Sequence, residues 1–147
     1  MQRREFIKKS CIACSSVTLL AAFIESCTSV RYAAGNLNND GILVDLEEFD
    51  VKKEGAHRSY VIIRNDELQF PICVYRIDDN TYSAVWMQCS HQGAELQVSG
   101  DQLTCPAHGS EFDKTGKVAQ GPAANDLRAF PVTITGNQLF IDLRKHT

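Results

Sequence analysis

Two short runs in the middle of the chain carry the strongest chemical signal, Cys89-Ser90-His91 and Cys105-Pro106-Ala107-His108. Thirteen residues lie between His91 and Cys105. Each run offers one thiolate and one imidazole. If the two loop tips meet, two soft sulfur donors and two borderline nitrogen donors come together, a set suited to zinc or to an iron–sulfur centre. A tetrahedral zinc would take all four donors on one ion, but zinc modules usually place both Cys before both His, and here they alternate. A two-iron, two-sulfide cluster would take the two Cys on one iron and the two His on the other. Unconnected loop residues are a poor account, because paired Cys/His doublets rarely arise by chance.

The elements around these runs read as strands. Ile42-Leu43-Val44, Tyr60–Ile63, Ile72–Tyr75, Tyr82–Met87, Gln102–Thr104, Phe130–Ile134 and Leu139–Ile141 are β-branched and aromatic runs between turn signals. Gly136-Asn137 joins the last two as a hairpin turn. No stretch of the body keeps helical apolar spacing for three turns. The expected class is therefore all-β, a small antiparallel barrel or sandwich. Between Cys89 and Leu127 the strand signal weakens and Gly, Pro, Ala and Ser increase. That pattern predicts a loop-rich subdomain that carries the site.

The chain has 147 residues, enough for one domain and a short appendage. With 15 Lys+Arg against 18 Asp+Glu and no basic stripe, nucleic acid is not an expected partner. Six Cys would permit three disulfides, but half of them fall in the first 27 residues. That segment has a basic head containing Arg3, Arg4, Lys8 and Lys9, then an apolar run from Cys11 to Ile24. The order is that of an export signal. The run is short for a span, which needs about 20 apolar residues. Arg3-Arg4-Glu5-Phe6-Ile7-Lys8 resembles the twin-arginine export motif, with Gln2 where Ser or Thr is usual. Ile24-Glu25-Ser26-Cys27 resembles a lipoprotein box in which Cys27 is acylated, although Glu25 departs from it. The alternative is an uncleaved signal kept as a membrane anchor. Both imply a membrane-tethered protein outside the cytoplasm. The expected division is residues 1–27 signal or anchor, 28–40 tether and 41–147 functional domain. Without residues 1–27 the chain keeps 11 basic and 16 acidic residues, a formal −5. Such a body favours basic docking patches.

Cys89-Ser90-His91-Gln92-Gly93-Ala94 and Cys105-Pro106-Ala107-His108-Gly109-Ser110-Glu111-Phe112-Asp113 resemble the two cluster loops of the Rieske family. The likeness continues through Gly116-Lys117-Val118, Gly121-Pro122-Ala123 and Leu127–Val132, and covers about residues 42–143. It implies one 2Fe–2S cluster per chain. Cys89 and Cys105 would bind the buried iron as thiolates, and His91 and His108 the iron nearer the surface. Gly109, Ser110, Phe112 and Pro122 would surround the cluster. A protein redox partner would dock on the His91/His108 face.

Departures from the family pattern refine this reading. Members from cytochrome bc complexes carry an extra Cys in each loop, joined as a disulfide; here those positions are Ala94 and Ala107. The sequence thus moves toward the Rieske-type ferredoxins, and Cys73 is expected to be a lone buried strand thiol. Ser110 matches the position whose hydroxyl bonds a cluster sulfide in high-potential members, while Phe112 stands where those members often have Tyr. One donor kept and one missing implies an intermediate potential within the range of about −150 to +300 mV. Phe112→Tyr is expected to raise the midpoint in a redox titration. Gln92 stands where quinol-oxidising members carry an apolar Leu, which weakens a quinol reading. His57 and His146 are isolated and expected to be solvated. With no second metal site to activate oxygen, the chain reads as an electron carrier or electron-transfer subunit rather than a catalyst alone. Alternatives are the Rieske subunit of a quinol-oxidising bc-type complex or of a periplasmic oxidoreductase, and, more remotely, a zinc-bound structural module.

Overall fold

The computed structural model describes residues 30–51 and 55–145. The export segment with Arg3 and Arg4, the acylation candidate Cys27 and His146 lie outside the described residues. The described residues form three small sheets. In the first, β4 (Tyr60–Ile63), β5 (Ile72–Arg76) and β6 (Tyr82–Trp86) form an antiparallel meander. It is extended by β11 (Ala129–Phe130) at one edge and β1 (Tyr32–Ala33) at the other. The pairing of β1 with β4 is parallel, a departure from the antiparallel expectation. The second sheet has the order β12 (Val132–Thr135), β13 (Gln138–Asp142), β3 (Gly41–Asp45), β2 (Asn36–Leu37). The third is a separate meander of β7 (Gln97–Ser99), β8 (Gln102–Thr104), β9 (Glu111–Asp113) and β10 (Val118–Gln120). Among the described residues no helix is long and apolar enough to cross a membrane.

Successive strand residues face opposite sides of a sheet. The register uses that alternation to build two cores. Val61, Val74, Ala84 and Phe130 lie in one cross-strand row and pack with Ile42, Val44, Leu139 and Ile141 of the second sheet. The next row, Ile62, Cys73 and Val85, faces the other way. It packs with Met87, Leu96, Leu103, Phe112 and the site cysteines Cys89 and Cys105. The middle sheet is therefore covered on both faces, which is why its strands read as continuous apolar runs. One face makes the base of the domain and the other supports the site.

The long run Phe130–Ile134 is two strands, not one. Pro131 has no N–H for a ladder. At that residue the chain leaves the first sheet and enters the second, while the Pro131 carbonyl accepts from Asp142 N–H at 2.9 Å. Gly136 has φ +61° and Asn137 does not have positive φ, the pattern of a type II′ hairpin. The expected tether, residues 28–40, is corrected over its described part. Tyr32–Ala33 and Asn36–Leu37 are strands, and Ala33 is buried in the base. Their pairing uses backbone groups, which a Ser/Asn/Ala/Gly composition does not reveal. The folded domain thus includes residues before 41.

Gly116 is the glycine the site subdomain most needs. It sits at φ +87°, and a Cβ there would lie 3.1 Å from Val85 Cγ1 and 3.2 Å from Leu127 Cβ. Its carbonyl accepts from Leu127 N–H at 2.7 Å, so it ties the β9–β10 turn to the segment that leads into β11. Gly116→Ala is expected to destabilise the protein by about 1–3 kcal/mol, from left-handed backbone strain and crowding together. Gly100, at φ +61° with open space around it, provides the control, because Gly100→Ala meets the strain alone. Denaturant midpoints of the two variants should differ, with Gly116→Ala lower.

Candidate metal centre

The two loops that hold the predicted ligands are the same turn built twice. In the first, Cys89 N–H donates to Ala94 O at 2.8 Å and Gly93 N–H to Cys89 O at 2.8 Å. In the second, Cys105 N–H donates to Ser110 O at 2.8 Å and Gly109 N–H to Cys105 O at 2.9 Å. Each turn needs a left-handed residue four positions after the Cys, and Gly93 and Gly109 supply it at φ +77° and +76°. Gly109 was expected near the site; Gly93 has the equivalent part in the first loop. The signal for it is the repeated Cys-x-x-x-Gly spacing. The first loop is rooted at the end of β6 through a bridge between Gln88 and Glu95, and the second joins β8 to β9.

The four donors fall into two pairs at different depths. Cys89 and Cys105 are buried, 2% and 1% exposed, and neither is in a disulfide. Their side chains lie in the same buried core. His91 is half-buried and His108 exposed. Their rings meet edge to face with centroids 5.0 Å apart. Burial pushes the Cys105 thiol up, but backbone N–H groups of His108 and Ala107 and the Cys89 side chain outweigh it and hold it below the ordinary thiol range. His91 Nδ1 is buried and, unusually, has no hydrogen-bond partner. A buried, unpaired ring nitrogen is costly unless it ligates something.

This donor set suits a two-iron cluster better than a single ion. Among the described residues no three His, Cys, Asp or Glu converge as ligands of one metal ion. A structural zinc needs four donors on one point. A cluster that brings its own sulfides needs two protein donors on each iron, which matches a buried Cys pair and an outer His pair.

A short strap holds the two loops together where Ala94 and Ala107 preclude a bridge. Ser90 Oγ, on the first loop, donates to Asn125 O at 2.5 Å. Ser110, on the second, is fully buried, and its Oγ accepts from Ala123 N–H at 3.0 Å. Segment 121–127 thus fastens to both loops. It starts at Gly121-Pro122, a cis peptide, and continues into Leu127, which packs in the site core. Pro122 itself is exposed. The β9–β10 turn is closed from within. Asp113 Oδ1 accepts from Thr115 N–H at 2.8 Å, Thr115 Oγ1 at 2.7 Å and Lys117 N–H at 3.1 Å.

Phe112 is fully buried in the site core beside Leu103. Gln92 is exposed next to His91. Cys73 is buried and free, as the sequence suggested, and burial pushes its thiol up to about 12. Tyr75, two residues on, gives its hydroxyl to Gln102 O at 3.2 Å. His57 is not near the site; its Nδ1 lies 3.0 Å from Asp50 Oδ1.

Comparison with known proteins gives a consistent result. A model of the Rieske [2Fe-2S] domain matches residues 43–131. A cytochrome b6-f complex iron-sulfur subunit of Synechococcus elongatus is 35% identical over 79 residues, covering 52% of this chain and 38% of that one. The ferredoxin component of a p-cumate 2,3-dioxygenase system from Pseudomonas putida is 36% identical over 63 residues, 40% of this chain and 53% of that one. The chain thus spans well under two thirds of the length of these curated relatives. Among solved structures, the plasma membrane Rieske protein PetC3 from Synechocystis PCC 6803 superposes with a TM-score of 0.50 at 29% identity. That match covers 57% of this chain and 86% of the other.

Proposed function

The chain belongs to the Rieske domain family and so carries a 2Fe–2S cluster, and on that premise we propose that it moves single electrons between protein partners. When bound, the cluster supplies a one-electron couple. Cys89 and Cys105 hold it from the buried side and His91 and His108 from the outer side. The observation that carries this assignment is the buried, unpartnered Nδ1 of His91 beside the His108 ring. The protein's own contribution is to fix donors, exclude water from the sulfur side and present imidazoles to a partner. Cys105 is already biased toward the thiolate that ligation requires. Ser110 accepts from Ala123 N–H, so its own proton remains free to donate into the site. Phe112 fills the core without a second hydroxyl.

The domain acts outside the cytoplasm, tethered through the basic and apolar N-terminal segment, with Cys27 acylated after export through Arg3-Arg4. No substrate is turned over on this chain alone. The deciding experiment is the EPR spectrum of the reduced protein, together with iron and acid-labile sulfide analysis and a redox titration. A low-average-g rhombic signal with equal iron and sulfide is expected, and zinc without sulfide would overturn the assignment.

A second reading, the Rieske subunit of a quinol-oxidising complex, is favoured by the likeness to cytochrome b6-f complex iron-sulfur subunits. Exposed, polar Gln92 beside His91 weighs against it. A midpoint that stays flat from about pH 6 to 9 would exclude it, because quinol oxidation requires the imidazoles to take up protons with reduction.

A further inference from the structure

We propose that the recess beside His91 seats an acidic side chain of the redox partner, with Arg128 as its cation; the inference rests on the electron-transfer reading above. The recess is a cavity of about 670 Å³ whose lining runs from the first loop, Cys89 to Gly93, to Gln69, Trp86, Gln88 and Arg128, with no acidic residue. One of its walls is a chain of fixed side chains. Arg128 Nη2 donates to Leu143 O at 2.7 Å, and the guanidinium lies 4.6 Å over the Phe130 ring. Phe130 meets Trp86 edge to face at 5.8 Å. The Trp86 indole N–H donates to Gln88 Oε1 at 3.1 Å. Arg128 is thereby held in place while most of its N–H donors remain uncommitted.

Most other described arginines are paired with a carboxylate, and Arg58 is committed to two backbone carbonyls. Arg31, Arg64, Arg76 and Arg144 each lie against a carboxylate. Among the described residues no carboxylate lies within ion-pair distance of Arg128. Its fork is suited to bidentate pairing with a carboxylate. The amide N–H₂ groups of Gln88 and Gln92 can add neutral donors. A single cation matches a monoanion, whereas a phosphate dianion would leave negative charge unpaired in the recess. The chain as a whole is acidic, with 18 Asp+Glu against 15 Lys+Arg. A largely basic partner with one acidic residue in the right place would therefore be drawn to the surface generally and set in register at Arg128. Such charge pairs act mainly on orientation and association rate.

The test uses cluster-loaded protein and stopped-flow oxidation of the reduced cluster by two one-electron acceptors. In each case one electron leaves the cluster and reduces the metal of the acceptor by one unit. Ferric EDTA presents carboxylates and a negative charge; cobalt(III) tris-phenanthroline is cationic and has no carboxylate. Arg128→Gln is expected to slow ferric EDTA about fivefold at low salt and to leave the cobalt reagent within about twofold, as a rim charge acts on association. Glutarate at constant ionic strength should compete with ferric EDTA in the wild type and not in Arg128→Gln. Arg58→Gln removes the same charge outside the recess, where Arg58 donates to the Glu48 and Asp50 carbonyls, and should change neither rate. Equal slowing by both variants would mean that net charge alone acts and would overturn the seat. A wild-type reduced cluster that passes electrons to neither acceptor would instead remove the electron-transfer reading itself. An unaltered EPR signal in Arg128→Gln shows that the site is intact in the comparison.

Discussion

Cys105→Ser protein is expected to be colourless, to lack acid-labile sulfide and to unfold far more readily than the wild type. The four donors sit on two loops with no disulfide between them, so the energy that brings them together comes from the strap, the shared core and the bound cluster. A group that binds only the folded state adds its binding energy to stability. For a bound metal centre that coupling is on the order of 4 kcal/mol or more. His108→Ala should act in the same direction, and its side chain is exposed, so no packing is lost with it. The informative control is Cys73→Ser. Cys73 is as buried as Cys105 and packs in the same core, but burial holds its thiol up at about 12, against the thiolate needed for ligation. It should lose about 1–3 kcal/mol from burying a hydroxyl in an apolar setting and keep its colour. Visible absorbance and denaturant midpoints, measured on all three variants, separate ligand loss from packing loss. A Cys105→Ser protein that kept both colour and stability would refute the ligand assignment.

Ser110→Ala is expected to lower the midpoint potential. Reduction adds negative charge, so a donor to a cluster sulfur binds the reduced state more strongly. A hydrogen bond to a charged acceptor is worth roughly 1.5–3 kcal/mol, and a difference of about 1–2 kcal/mol between redox states corresponds to roughly 40–90 mV for one electron. The same substitution strands the Ala123 N–H, since Ala123 is only 5% exposed and its hydrogen bond goes to Ser110 Oγ. Stability should therefore fall as well, by about 1–3 kcal/mol. The two readouts are separable: a serine that only fastened the strap would reduce stability and leave the potential unchanged. A redox titration beside a denaturation curve decides between them.

The sequence made the chemistry more legible than the architecture. The ligand doublets stand out because thiolates and imidazoles at loop spacing have few other uses, and the longer strands stand out through their β-branched runs. The third sheet was mostly missed because strands such as Gln97–Ser99 and Val118–Gln120 are too short and polar to show a period. The strands before residue 41 were missed because backbone pairing, not side-chain pattern, holds them. The strap was legible in part, through Gly121-Pro122-Ala123, which the family likeness puts around the cluster; that Ser90 and Ser110 would both fasten to it depends on how two distant loops fold back, which no local pattern encodes. Arg128 gave no signal, since being left without a carboxylate is a property of the folded surface.

The contact between Cys89 and Cys105 also bears on the order in which the protein can be assembled. A disulfide oxidant that took two electrons and two protons from this buried thiol pair would close the two on each other. That bond would consume both sulfur ligands at once. For the proposed ligand set, iron and sulfide would have to be installed while the thiols are still kept reduced. On the export proposed above, such a chain would travel already folded and loaded.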